Sequence, residues 1–454
     1  MKKKYVRWTL WTIASPFILF IILCILIYLP PIQNFLVDKA AVYASEATGM
    51  NISVGRISLS FPLNLVVTNV DAASPHNDTL LSVRRLQVNV QLLPLLKKQV
   101  EVDGISLQGA TVNSNDLIHG MKLNGTLGEL FISSHGVALD PETAIVNKVL
   151  LKDTDLSLCL NDTAAVDTAA SDTTYWKIIL QDIDLQNVSF ALDMPLDSLS
   201  LAASLDNAIL RDGLIDLHKS AYSLQTFRIE NGRVRYDNGK PLAADSLSSG
   251  LDPSHIALTD IGVKLDSLYY GGRNMKAIIS QFVLKERSGV EIVSATGRMV
   301  SNDKVLRVPS LKLETRDSYL ELNAAMDWNA LDFKGEGLMS ARLMADIGKP
   351  DVVRFMGRMD EKFVRQYPSE PLRIRTGIDG DLNKLKLTTL TAELPGALGL
   401  FARGELTHLT DSLLRGGDIT LEAETKDLKF VSTLAEGIEI PYGTRLEGKF
   451  TMAG

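Results

Sequence analysis

Gly443-Thr444-Arg445-Leu446-Glu447-Gly448-Lys449 comes within one residue of a phosphate-binding loop. Such a loop cradles phosphates with backbone N–H groups, reaches them with its Lys, and holds Mg²⁺ on the following Ser or Thr. Here Phe450 takes that last place, and the flanking residues alternate as in a strand instead of turning into a helix. A nucleotide site is not expected. Gly104-Ile105-Ser106-Leu107-Gln108 lacks the second Gly of a nucleophile elbow and sits in a strand pattern. Asp162, Asp167 and Asp172 recur five apart, which is not the alternate-residue spacing of a calcium-binding helix-loop-helix. His76, His119, His135, His218, His255 and His408 fall near turns or polar segments, none at ligand spacing from a Cys or another His. They are expected to be surface or turn histidines. Asn124-Gly125-Thr126 merely marks a turn. No constellation supports catalysis, so no enzyme activity, metal or cofactor is expected.

The remaining chemistry is that of hydrocarbon. The chain has 454 residues, 46% of them hydrophobic, enough for two or three ordinary domains or one elongated repetitive one. Its 47 basic and 54 acidic residues leave a net charge of −7, and with no strongly basic half a nucleic-acid partner is not expected. Cys24 lies in an apolar run and Cys159 far away near a polar stretch, so a disulfide scaffold is ruled out. Uninterrupted apolar sequence is concentrated at the amino terminus, and almost everything after it alternates.

No charged residue occurs from Trp8 to Val37, a run of 30 residues. A bilayer core requires roughly 20. The densest part, 8–29, reads as one transmembrane helix with Trp8 and Trp11 at one interface and Tyr28 at the other. Lys2, Lys3, Lys4 and Arg7 precede it, so residues 1–7 are expected to form a cytoplasmic tail and the rest to be translocated. A cleaved signal peptide would have a shorter apolar core and a small-residue site close behind, whereas Tyr28-Leu29-Pro30-Pro31 follows here. Ile32, Phe35, Leu36, Lys39, Val42, Tyr43 and Glu46 then keep helical spacing, which predicts a short amphipathic linker helix over 30–49, stopped at Gly49.

From Asn51 the period becomes two. Leu86, Val88, Val90 and Leu92 alternate with Arg85, Gln87, Asn89 and Gln91. The same alternation returns at Leu320–Asn323, Leu372–Arg375, Ile419–Glu424 and Leu446–Met452. Turns are expected at Asp103-Gly104, Asn124-Gly125, Asp212-Gly213, Asn231-Gly232, Asn238-Gly239, Gly271-Gly272 and Asp379-Gly380. Pro350 marks one short helix running toward Tyr367. The small, acidic segment near 161–174 reads as a poorly ordered loop. The body, 50–454, is thus expected to be mainly antiparallel β.

A degenerate repeat runs through it. Ile105–Val112, Ile183–Phe190 and Phe227–Val234 share one pattern, with Val149–Leu156 a weaker copy; in chain order the starts are 44, 34 and 44 residues apart. The unequal spacing favours an extended sheet over a propeller. In each copy the first and third residues share a face while the eighth has opposite parity. A bulge or turn at the fifth residue, Gly109, Asn187, Asn231 or Asp153, would repair the register.

A sheet with one apolar face must bury it. The body offers barely one helix as cover, and sandwiches or barrels usually close within about 100 to 250 residues. The expected solution is an elongated sheet curled into a trough. Strands recurring every 13 to 15 residues would number about 30 and stack to on the order of 140 Å. Leu86, Val88, Val90, Ile105, Leu107, Ile183, Leu185, Phe227 and Ile229 would line the trough. An ordinary dry β core is the competing reading of the same residues.

Thr48–Leu63, Asp78–Val83 and Leu92-Leu93-Pro94-Leu95-Leu96, behind a single amino-terminal anchor, resemble the opening of AsmA-superfamily proteins, in particular the TamB family in its Bacteroidetes-like form. The specific part covers about the first 110 residues. The resemblance implies an inner-membrane-anchored periplasmic β-groove that carries phospholipids toward the outer membrane. It also implies an alternative: a scaffold for outer-membrane protein assembly or secretion, working with an outer-membrane barrel partner in a translocation and assembly module. The alternating run at Lys449–Gly454 stops short of the longer groove typical of the family, so the chain is expected to be an amino-terminal portion.

Overall fold

The computed structural model describes residues 39, 41, 42, 45, 46, 48–60, 64–74, 78–91, 102–114, 120–138, 142–161, 175–240, 250–331, 337–357, 360–411, 413–434 and 441–453. The expected tail, the anchor at 8–29 and the acidic loop beyond Asn161 lie outside the described residues. Among the described residues no helix is long and apolar enough to cross a membrane. Of the expected linker helix, Lys39, Ala41, Val42, Ser45, Glu46 and Thr48 are helical. Gly49 ends it, with a left-handed φ of 69° and its N–H donating to the Ser45 carbonyl at 2.9 Å.

All but a small part of the rest is β, in two compact units. The first runs to Thr173 and takes in Ile178–Leu196; the second holds Thr174–Lys177 and Asp197–Gly454. The first contains β1 (Asn51–Ser60), β2 (Asn64–Ala73), β3 (Thr79–Val90), β4 (Val102–Asn113), β5 (Met121–Ala138), β6 (Thr143–Leu160) and β7 (Lys177–Met194). Strands β1 to β6 form an antiparallel meander. Between β6 and β7, Asn147 Nδ2 donates to Gln181 Oε1 and Asn187 Nδ2 to Asp153 Oδ1, both at 2.9 Å and both across 34 residues. A constant offset is the mark of two strands running the same way.

The second unit comprises β8 (Leu199–Asp216), β9 (Ala221–Leu224), β10 (Thr226–Asp237), β11 (His255–Gly271), β12 (Asn274–Glu286), β13 (Glu291–Ser301), β14 (Val305–Thr315), β15 (Tyr319–Asp327), β16 (Met339–Ile347), β17 (Leu372–Gly380), β18 (Lys384–Leu394), β19 (Leu398–Thr407), β20 (Gly416–Thr425) and β21 (Arg445–Ala453). From β10 onward each strand pairs antiparallel with the next. β9 and β10 together lie between β8 and β11, interrupted at Gln225. The described residues form 21 strands, fewer than the expected thirty or so, because single strands run to 18 residues.

The repeat marks left-handed residues within the strands of each unit. Its fifth position has φ of 62° at Gly109, 49° at Asp153, 52° at Asn187 and 53° at Asn231. Asn69 (52°) and Asp260 (53°) repeat the device on β2 and β11. Each turns two successive side chains to one face, so that Ala110 and Val112 rejoin the face of Ile105 and Leu107. The partner strand accommodates it. Gly128 lies opposite Asp153, between the pairs Leu127↔Thr154 and Glu129↔Lys152. A Cβ there would come within 2.8 Å of the Asp153 Cβ and 2.9 Å of its carbonyl oxygen.

Four expected turns are thereby corrected. Asp103-Gly104, Asn124-Gly125, Asp212-Gly213 and Asn231-Gly232 lie inside β4, β5, β8 and β10. Asp212 and Asn231 are left-handed within their strands, and bulges select the same residue types as turns. Asn238-Gly239, Gly271-Gly272 and Asp379-Gly380 do fall at strand ends.

The single helix expected from Pro350 is two, α1 (Lys349–Phe355) and α2 (Glu361–Gln366), with Gly357 at φ 72° between them. In α1 the buried Asp351 carboxylate accepts from Thr315 Oγ1 and from Ser318 Oγ (2.6 Å) and meets Arg354 Nη1 at 3.2 Å, which ties α1 to the β14–β15 turn. The Asp360 side chain caps α2 by accepting from the Lys362 N–H at 2.8 Å. Phe363 and Tyr367 pack against Phe430, Leu394, Ala397 and Leu428, with Leu372 and Leu398 beside them. This small aromatic core covers one end of β17, β18 and β19.

Candidate functional site

The register brings the expected lining residues together. Leu86 lies opposite Leu107, and Val88 opposite Ile105. Each pair belongs to a row running through six strands. One is Ile57, Val67, Leu86, Leu107, Leu130 and Leu151; the other is Leu59, Leu65, Val88, Ile105, Ile132 and Val149. Directly opposed side chains in such rows have Cβ atoms about 4.5–5.5 Å apart, close enough to make a continuous apolar surface. Val90 stands at the strand end opposite Val102, past a register shift. The 34-residue offset of β7 sets Ile183 beside Val149 and Leu185 beside Leu151, which extends both rows. Beyond the left-handed line, Val54, Val70, Val83, Ala110 and Leu127 form a third row that ends in Thr154.

Phe227 and Ile229 occupy corresponding rows of the second unit. Phe227 lies between Leu210 and Leu265, and Ile229 between Ala208 and Val263. The Ile229 row continues through Phe282, Ala295, Leu313, Leu320, Ala345, Ile374, Ala392, Leu400, Ala423 and Leu446. None of these positions carries a charge.

Burial varies along this face: Ala208, Ala295 and Ala345 in the Ile229 row and Val83 in the third row are buried, while the residues expected to line the trough are less so. None of the nine expected residues is buried: eight are half-buried, and Ile105 is 37% exposed. The aromatic core under α2 differs sharply, with Phe363 at 1% and Leu394 at 3%. Burial there pushes the Tyr367 phenol above its ordinary pKa.

The opposite face is charged and wet. Arg342 pairs with Asp379 at 2.7 Å, Arg375 with Asp346 at 2.8 Å and Lys384 with Glu405 at 2.9 Å, all well exposed. Such pairs add little stability, but they fix which side faces water. The hydrogen bond and charge of Asp260 raise the Lys285 pKa, and the Tyr319 phenol, donating to Glu321 at 2.7 Å, is raised by that bond.

Several row residues escaped the sequence. Leu65-Val66-Val67 and Leu130-Phe131-Ile132 are unbroken apolar runs that hide which parity faces the rows. Leu320, Ile374, Ala423 and Leu446 sit in visible alternations, yet only the ladder joins them to Ile229. Of the expected surface or turn histidines, His255 closes a turn, its N–H donating to the Asp252 carbonyl at 3.0 Å, but it is buried, its ring 2.9 Å from the Asp252 carboxylate and 3.6 Å from that of Asp237. His218, in a turn, lies against Tyr175 with the rings tilted by 44° and their centroids 5.4 Å apart. Gly443–Lys449 leads from a turn into β21, where Lys449 pairs with Thr420. No family model matches the chain, and no curated protein does.

Proposed function

We propose that the apolar rows form the interior of a curled β-groove that carries phospholipids, and that the chain is an inner-membrane-anchored periplasmic bridge of the AsmA and TamB kind. The observation that carries this reading is a long apolar face on which the nine expected lining residues all stay partly exposed. A face of this kind is stable in water only if something covers it, and acyl chains have the right chemistry. Each CH₂ withdrawn from water gains about 0.8 kcal/mol, so a lipid moves from row to row without a chemical step. Bulges bend strands and increase their local twist. A line of them, each adding an extra residue on the polar side, favours curling toward the apolar side. The resemblance of Thr48–Leu63 and the segments after it supports the same reading, with the outer membrane as destination.

The test places a photocrosslinking residue at Val88, Leu107 or Leu185 of the full chain in its membrane. Phospholipid adducts, together with co-purifying phospholipid, are the expected result. Adducts with polypeptide alone and no bound phospholipid would overturn the conduit and favour a scaffold for outer-membrane protein assembly.

A further inference from the structure

The two helices of the second unit lie on the apolar side of the sheet. Leu372, Leu394 and Leu398 stand two residues beyond Ile374, Ala392 and Leu400 of the Ile229 row and share their face. Ile374 and Leu400 are half-buried, yet Leu394 is 3% exposed, because Phe363 and Tyr367 of α2 and Phe430 after β20 close over this end of the face. The three rings pack with centroids between 5.1 and 5.8 Å apart. On its outer side α2 is polar: Glu361, Lys362, Arg365 and Gln366 are exposed, and Arg365 pairs with Glu361. α2 is therefore amphipathic, with its apolar side laid on the surface that an acyl chain would cover.

Polar bonds hold α1 in place. Asp351 ties it to the β14–β15 turn, the Gly348 N–H donates to Ser318 Oγ at 3.0 Å, and the Arg354 carbonyl accepts the Leu251 N–H at 2.8 Å. α2 follows the left-handed Gly357. Among the described residues it is held by its apolar packing and, at its end, by Lys349 Nζ donating to the Tyr367 carbonyl at 2.7 Å.

We infer that α2 is a lid that competes with acyl chains for the ends of β17, β18 and β19, an autoinhibitory contact built into the groove. The inference rests on the conduit reading and names where passage along the apolar face is controlled. Lifting α2 into water exposes Leu394 and parts the aromatic rings, each of which buries on the order of 150–250 Å², so the lid stays shut without a ligand. An acyl chain covers Leu372, Leu394 and Leu398 again as α2 leaves, which lowers the cost of opening. A ligand shifts such an equilibrium only by its differential affinity for the two states, and this apolar surface supplies the difference. α1, pinned through Asp351, stays behind as the base of the lid.

The test follows amide hydrogen exchange of the full chain in amphipol as dihexanoyl phosphatidylglycerol is added, with glycerophosphoglycerol as the same headgroup without acyl chains. The lipid should speed exchange of the α2 amides severalfold and leave α1 unchanged, and the bare headgroup should do neither. Asp360→Ala removes the cap of α2 at an exposed position and keeps the aromatic core. It should speed α2 exchange about fivefold without lipid and lower, severalfold, the lipid concentration that gives half the effect. Unchanged or slower α2 exchange with lipid, equal responses of α1 and α2, or an unshifted midpoint in Asp360→Ala would overturn the lid. Lipid adducts at Leu107 without any α2 response sink the lid alone, whereas absence of those adducts sinks the conduit itself.

Discussion

Asn187 Nδ2 donates to Asp153 Oδ1 at 2.9 Å, joining the left-handed residues of two neighbouring strands side chain to side chain. Asn and Asp tolerate the left-handed region because their short polar groups bond locally, whereas Ala there costs about 1–2 kcal/mol. Asn187→Ala should therefore weaken β6–β7 by about 2 kcal/mol, combining that cost with a lost hydrogen bond, and Asn187→Gly by only about 1. Hydrogen exchange of the β7 amides reads both. Equal effects of the two variants would show that backbone conformation plays no part.

Gly128 is the partner that this geometry demands. Gly128→Val should cost about 3 kcal/mol or more, because the new Cβ meets the Asp153 backbone, which cannot rotate away as a side chain can. A shift in urea midpoint or loss of folded yield checks it. Near-normal stability would mean that β5 slides past β6 without penalty.

The apolar rows and the aromatic core should answer differently to truncation. Phe363→Ala removes a fully buried ring and should cost about 3–5 kcal/mol. Ile105→Asn leaves a position already in contact with water and should cost about 1 kcal/mol or less, yet reduce lipid adducts at Leu107 severalfold. Denaturant unfolding paired with crosslinking measures both. A large stability loss for Ile105→Asn would return this face to the class of ordinary cores.

The buried His255 holds the Asp252 carboxyl below its ordinary value of 3.8, chiefly through their hydrogen bond, with the Ser254 N–H adding to it. A depressed carboxylate contributes stability that is complete above its unfolded pKa and lost as pH falls through the folded one. The loss should begin below about pH 4 and be absent in Asp252→Asn, as followed by circular dichroism during acid titration. Identical acid limbs would dismiss the pair as a stability element.

Much of this was legible in the chain. Ile105 and Leu107, read as one face, do share it, and the parity conflict with Val112 pointed to Gly109 as the residue that had to bend. The same reasoning reached Asn187, Asn231 and Asp153, all left-handed. What the chain hid was partnership. Nothing local in Leu130-Phe131-Ile132 says that Phe131 faces away, and nothing in Gly128 says which backbone it must clear. Turn and bulge chemistry also coincide, so Asn231-Gly232 reads as a strand end although the strand continues to Asp237. Those facts belong to the neighbouring strand.

The line of left-handed residues also bears on growth. Because the bend sits at a fixed offset from the apolar positions in each strand, the first unit behaves like an extruded profile, the same cross-section drawn out strand after strand. Duplicating a strand pair would lengthen it by about 9.6 Å and leave the profile intact. Length can then be set by counting repeats, with no need to redesign a single row.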